Sequence, residues 1–202
     1  MIRIWGRSTS SNVAKVLWTL DELRLEYEQK PVGGEVSPLG TDEYLRLNPN
    51  ARIPTLEDGG LILWESNAIV RYLAARYGRS VLWPEDAVER ARTDKWMDWA
   101  SLNYAAALST VRTAIKNAAP KAEIDTGLEK LDHLAGILDT AVEHNSYVGG
   151  ERLGMGDIAL APHVHRWRRL NFRSAAHPAL CRYHTQLCTH EYYRQHISQP
   201  LS

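Results

Sequence analysis

Residues 48–73 read NPNARIPTLEDGGLILWESNAIVRYL, and the interpretation of the whole chain turns on them. The run PTLE, led by Pro54, and the run LIL flank Asp58-Gly59-Gly60, a turn composition that closes a β-hairpin. Pro54 lacks a backbone donor, and the Ile53–Pro54 bond is expected to be cis, with the Ile53 main chain turned outward. Glu65, Ser66 and Asn67 then open a helix that carries Ala68, Ile69, Tyr72 and Leu73 at helical spacing. The N–H groups at a helix start have no intrahelical acceptor and attract a carboxylate. An outward-facing main chain beside such a helix start reads as a place to hold a small peptide-like ligand.

Working outward, the N-terminal part alternates strand and helix. IRIW (2–5) reads as a strand, and Ser11 to Arg24 as a helix with Val13, Val16, Leu17, Leu20 and Leu23 on one face. Tyr27 to Val32 is expected to pair parallel to the first strand in a right-handed βαβ unit. GGEVSPLG is a loop, and Thr41-Asp42-Glu43 opens a short helix that ends before Asn48-Pro49. With the hairpin and third helix, which Gly78 ends, the pattern is βαβ followed by ββα, a thioredoxin-like topology. Residues 79–86, RSVLWPED, read as a linker. Beyond them no strand signal appears, and helical patterns are broken at Pro120, Gly149-Gly150, Gly154–Gly156 and Pro178. The expected fold class is α/β plus all-α, with an α/β domain at 1–78, a linker at 79–86 and a helical domain at 87–202.

Composition narrows the function classes. Lys+Arg and Asp+Glu both number 24, so the balanced charge argues against a nucleic-acid or anionic-membrane partner. No apolar run approaches a membrane span, and MIRIWGRSTS has no leader-like apolar core, so the expected compartment is the cytoplasm. Cys181 and Cys188 lie seven residues apart on a predicted helix, about 10 Å along its axis, too far for a disulfide. All eight histidines fall at or after His133. Chemistry in the N-terminal part must therefore use hydroxyls, amides, backbone groups or a thiol brought by the ligand. His163 and His165 diverge on their predicted helix, and no metal site is expected.

An apolar residue before a cis-proline, Ile53-Pro54, a hairpin, and then Glu65-Ser66 at this spacing resemble the glutathione-binding half of cytosolic glutathione transferases. The resemblance runs over nearly the whole chain. It implies glutathione as co-substrate, no metal, and a catalytic group in Gly6-Arg-Ser-Thr-Ser-Ser-Asn12, where transferases of the serine type place the donor that meets the glutathione sulfur. Counted back from Lys15, Ser10 matches the serine of zeta-like members, Ser11 that of theta-like members, and Asn12 the asparagine of nu-like bacterial members. Ser10 is preferred, as the last loop position before the helix. The remaining contacts follow peptide logic. The Ile53 main chain is expected to pair with the cysteinyl part, Ser66 and the helix start to take the γ-glutamyl carboxylate, Glu65 to meet the ammonium, and Arg52 to meet the glycyl carboxylate. The family's theta-like histidine before the second helix is replaced by Leu39-Gly40.

In the family a Ser/Thr-x-x-Asp capping box starts a buried helix of the second domain. Here Asp157 holds its last position, but Gly154 replaces the hydroxyl residue, so half the box can form. The small electrophile is expected between the first domain and the first long helix of the second, with Asn103, Tyr104 and Arg112 as candidate contacts. Trp96, Trp99 and Asn103 follow i, i+3, i+7. The resemblance also implies a two-fold homodimer and a role in detoxification. A nu-like glutathione-dependent disulfide reductase and a non-catalytic binding protein of the same fold are the alternatives.

Overall fold

Strict alternation in β1 (Ile2–Trp5) buries Ile2 and Ile4 and turns Arg3 to solvent. The computed structural model describes residues 1–78 and 81–199. After β1 comes α1 (Ser11–Glu22), which buries Val13, Ala14, Val16, Leu17 and Leu20. β2 (Tyr27–Lys30) then pairs parallel to β1. α2 (Asp42–Leu47) is capped by the Thr41 hydroxyl, which accepts the Tyr44 N–H. β3 (Thr55–Asp58) and β4 (Leu61–Trp64) form the hairpin, and the sheet order is β2-β1-β3-β4 with β3 antiparallel to both neighbours. Gly59 and Gly60 connect the hairpin at φ 57° and 92°, left-handed angles that a two-residue turn of this kind requires. α3 (Ser66–Tyr77) buries Ile69, Val70, Leu73 and Ala74.

Helical structure dominates from α4 (Ala87–Trp99), capped by the Asp86 carboxylate, which accepts the Val88 and Glu89 N–H groups. A π-helical turn, Ala100–Tyr104, leads into α5 (Ala105–Lys116). α6 (Lys121–Ala141), α7 (Met155–Leu170) and α8 (Pro178–Thr189) follow, with Cys181 and Cys188 on α8 as separate thiols. α7 crosses α4 at close range because Gly156 has no side chain. A Cβ there would sit 2.5 Å from the Thr93 carbonyl oxygen, and the Gly156 N–H donates to Thr93 Oγ1 at 3.0 Å. Asp157 is fully buried and accepts from the Gly154 N–H at 2.8 Å, the half of the box that a glycine N-cap permits. It also accepts from the Val148 N–H at 2.9 Å and the Tyr183 hydroxyl at 2.8 Å. Burial pushes its carboxyl up to about 6, against the opposing pull of these donors.

Packing divides the chain into two compact units, Met1–Pro84 with the segment from Glu191, and Glu85–His190. This differs at two places from the boundaries read in the sequence. Residues 79 and 80 of the expected linker lie outside the described residues, but Leu82 is buried and the Val81, Leu82 and Trp83 N–H groups converge on the Gly78 carbonyl. The segment from 81 to 84 thus belongs to the first unit. So does α9 (Glu191–His196), which packs on α1: the Tyr193 and Trp18 rings meet edge to face at 5.8 Å, and His196 hydrogen-bonds Asp21. The apolar side of this short helix finds its cover on α1.

Replacing Asp157 by alanine strands two backbone N–H groups and the Tyr183 hydroxyl in a dry site. A loss of about 3 kcal/mol or more in unfolding free energy is expected by urea titration, with Asp157→Asn costing less because one acceptor remains.

Candidate active site

The loop from β1 into α1 is drawn tightly onto its surroundings. A Cβ on Gly6 would lie 2.4 Å from Val13 Cγ2 and 3.3 Å from Ile53 Cβ, so only glycine lets the loop approach both. Ser10 is the N-cap of α1 at φ −81°, ψ 126°, yet its hydroxyl makes no capping bond. It is 9% exposed and, among the described residues, has no side-chain partner. Ser11 is 7% exposed, and its enclosed Oγ also lacks a partner. Asn12 is exposed, and its Oδ1 accepts from the Ser66 hydroxyl at 3.3 Å. The three candidates are therefore not equivalent. Ser10 presents a donor not used by the helix, Ser11 is sealed, and Asn12 is engaged with the start of α3.

That start is held by a second, stronger contact. Lys15 on α1 is 1% exposed and donates to Asn67 Oδ1 at 2.9 Å. Burial lowers its amine to about 8, and the Glu65 carboxylate partly restores the charged form. Glu65 itself stands at φ 71°, ψ 110°, a strained combination for a residue with a side chain. Its carboxylate is exposed and does not cap the helix, so the first N–H groups of α3 are left to other acceptors. Ser66 is buried beside Asn12. Two helix N-termini are thereby held side by side, each with the positive end of its dipole available to an anion.

Ile53 and Pro54 complete this face, joined by a cis bond. No hydrogen bond engages the Ile53 main chain among the described residues. The preceding carbonyl, that of Arg52, is fixed by the Tyr44 hydroxyl and the Asn48 side-chain amide, each at 2.7 Å. The Arg52 side chain is exposed, and among the described residues its guanidinium has no partner. Tyr44 and Asn48 are supporting residues the sequence reading missed, and it named Lys15 and Asn67 without seeing that they pair. Asn48 lay inside the decisive stretch, and the one available signal was a polar residue at a helix end, ahead of Pro49.

In the second unit the expected electrophile contacts do not share a face. Tyr104 is fully buried, with no hydroxyl partner among the described residues, whereas Asn103 and Arg112 are exposed. Eight residues of α-helix turn about 800°, which leaves an offset of about 80° between Tyr104 and Arg112. The π-helical turn also breaks the i, i+3, i+7 register, so Trp96 is buried while Asn103 faces solvent. Trp99 stacks on Tyr104 with ring centroids 5.6 Å apart.

Comparison with known proteins places this architecture. The chain matches the glutathione S-transferase N-terminal domain over residues 1–75 and the C-terminal domain over residues 94–191. It is 38% identical to the glutathione S-transferase GstB of Escherichia coli (strain K12) over the full length of both. It is 31% identical to the disulfide-bond oxidoreductase YfcG of the same organism, over 87% of this chain and 85% of that one. Among solved structures, the theta class glutathione S-transferase of Xanthomonas axonopodis pv. citri with glutathione bound is similar at a TM-score of 0.91 and 36% identity. That alignment covers 100% of this chain and 99% of the other. The chain belongs to the glutathione S-transferase family.

The buried amine predicts a pH dependence of folding. Lys15 releases its proton near pH 8 in the folded chain and near 10.5 when unfolded. Between those values the unfolded chain binds more protons, so stability rises with pH. Relative to a Lys15→Met variant, the wild type is expected to gain up to about 3 kcal/mol across that window in urea titrations at stepped pH. A difference that stays flat would mean the amine is not desolvated.

Proposed function

We propose that this chain is a glutathione transferase that holds glutathione across the two adjoining helix starts of its first unit and presents the thiolate to a small electrophile. The observation that carries this reading is the Ser10 hydroxyl, at the α1 N-terminus without a capping bond, next to a second helix start that Asn12 and Lys15 tie in place. The Ile53 main chain, unengaged among the described residues, is suited to the cysteinyl amide. The α3 start with Ser66 suits the γ-glutamyl carboxylate, Glu65 the ammonium, and the Arg52 guanidinium the glycyl carboxylate.

The energetics are sufficient without a general base. A free thiol has a pKa of about 8.5, so little thiolate exists at neutral pH. Lowering it by about two units takes roughly 2.7 kcal/mol of preference for the anion. One hydroxyl donor to an anion contributes about 1.5–3 kcal/mol, and the helix terminus about 0.3–1 kcal/mol more. Ser10 then acts as donor, and the sulfur of glutathione is the nucleophile. Ser11, sealed within the fold, and Asn12, committed to Ser66, are ranked behind it.

A second reading, a glutathione-dependent disulfide reductase, is favoured by Asn12 at the helix start and by the similarity to the disulfide-bond oxidoreductase. No cysteine precedes Cys181, so such chemistry would run on the thiol of glutathione. Faster turnover of a small disulfide than of an aryl halide would select it. We place the protein in the cytoplasm, in a detoxifying role. A homodimer is supported by edge strand β4, whose Leu61, Ile62 and Trp64 are 39%, 44% and 39% exposed. Among the described residues no helix is long and apolar enough to cross a membrane.

Glu65→Ala and Ser66→Ala are expected to lose retention on immobilised glutathione while keeping a native circular dichroism spectrum. Normal retention would remove both from the site. Ser10→Ala should raise the pKa of the bound thiol and slow conjugation at neutral pH by roughly ten- to a hundredfold, with little change in glutathione affinity. Asn12→Ala should instead weaken affinity, since it removes the acceptor that ties the start of α3 to α1. An unchanged thiol pKa in the Ser10, Ser11 and Asn12 variants would assign activation to backbone donors alone.

A further inference from the structure

Beside Ser10, the first unit carries a hollow of about 340 Å³ lined by Arg7, Ser8, Thr9, Gln29, Pro31 and Val36. This volume is in the range that holds a small organic molecule. Its lining has one charged group, the Arg7 guanidinium, together with the exposed hydroxyls of Ser8 and Thr9, and no carboxylate. Gln29 donates its amide to the Gly6 carbonyl at 2.8 Å, which fixes that wall. Pro31 and Val36 add an exposed apolar rim.

Arg7 is held in place rather than loosely tethered. Gly33 and Gly34 adopt φ 91° and 65°, and the Gly33 N–H closes their loop onto the Ser37 carbonyl at 2.9 Å. A Cβ on Gly34 would stand 3.3 Å from Arg7 Nε, 3.4 Å from Cδ and 3.8 Å from Cζ. The Arg7 side chain therefore lies close against the Gly34 main chain, whose φ of 65° favours glycine. Its own main chain is anchored as well, since the Arg7 N–H donates to Val32 O at 3.1 Å and its carbonyl accepts from the Ser10 N–H at 3.1 Å. That last bond couples the position of the cation to the residue that meets the sulfur.

We propose that this hollow receives the electrophile, and that Arg7 selects electrophiles carrying a carboxylate. The inference rests on the glutathione reading of Ser10 and names the substrate class for that site. The chemistry gives the cation a reason to be there. A thiolate and a carboxylate-bearing substrate repel each other at contact distance, and a fixed guanidinium between the loop and the hollow offsets that repulsion. With an aryl chloride, the sulfur bonds to the carbon bearing chlorine, chloride departs with the bonding pair, and the thiol proton has already passed to solvent.

The test uses two glutathione conjugates, one made from a chloronitrobenzoate and one from its methyl ester, together with glutathione itself, in titration calorimetry. Wild type is expected to bind the acid conjugate at least about tenfold more tightly than the ester conjugate. Arg7→Gln should bring the two within about twofold and leave glutathione binding as it was. Val36→Glu, a change on the exposed rim, should weaken the acid conjugate selectively and guards against a folding defect in the first variant. Equal binding of both conjugates by wild type overturns the inference. So does an Arg7→Gln variant that loses glutathione and both conjugates alike, which would assign Arg7 to the peptide site, and so does a Val36→Glu variant that affects both conjugates equally. Failure of wild type to bind glutathione at all would instead overturn the reading of Ser10 on which this one rests.

Discussion

A charged amine enclosed between two helices sets the conditions for the rest of the first unit. Lys15 is almost wholly removed from water, and a buried ammonium is tolerated only where acceptors meet it. The acceptor is Asn67 in the first turn of α3, with the Glu65 carboxylate acting on the same charge. The start of α3 must therefore stay against α1, and Asn12 and Ser66 add a second rung between the same helices. Two helix N-termini, each attractive to anions, end up on one face as a consequence of satisfying one cation.

Local irregularity gathers on that face. Glu65 holds a left-handed φ without being glycine, Ser10 forgoes its capping bond, and the Ser11 hydroxyl is enclosed with no partner among the described residues. Each departs from what a helix start would adopt if stability were the only requirement. The start of α7 behaves in the opposite way. There Asp157 gathers three donors, and Gly156 admits Thr93 at close range, so the polar groups are satisfied. The contrast separates helix starts that leave polar groups unused from one whose polar groups are satisfied within the fold.

Much of the candidate site was legible because its signals are local. Pro54 after Ile53, the Asp-Gly-Gly turn and the Glu65-Ser66 helix opening depend on bonding between near neighbours, and each was found where the sequence placed it. The relation among Ser10, Ser11 and Asn12 was not legible. Which hydroxyl is spare, which is sealed and which side chain is engaged depends on α3, more than fifty residues away, and on how tightly Gly6 lets the loop close. Arg7 was hidden for the same reason, since its position is defined by two glycines beyond β2.

The sequence by itself determined the elements and their order. Strand alternation, helical periodicity, hairpin turn residues and the switch to an all-helical second half all follow from short-range sterics and apolar patterning. Tertiary structure alone decided the partnerships across long separations. It placed α9 on α1 rather than with the helices before it, because the apolar side of a six-residue helix has to find cover wherever it is offered. It set Tyr104 inside and Arg112 outside, because a π-helical turn and the pitch of the α-helix rotate positions that look equivalent in a linear count. It also chose Asn67 as the partner of Lys15, since a buried charge binds the acceptor that packing brings to it, and no pattern along the chain records which one that is.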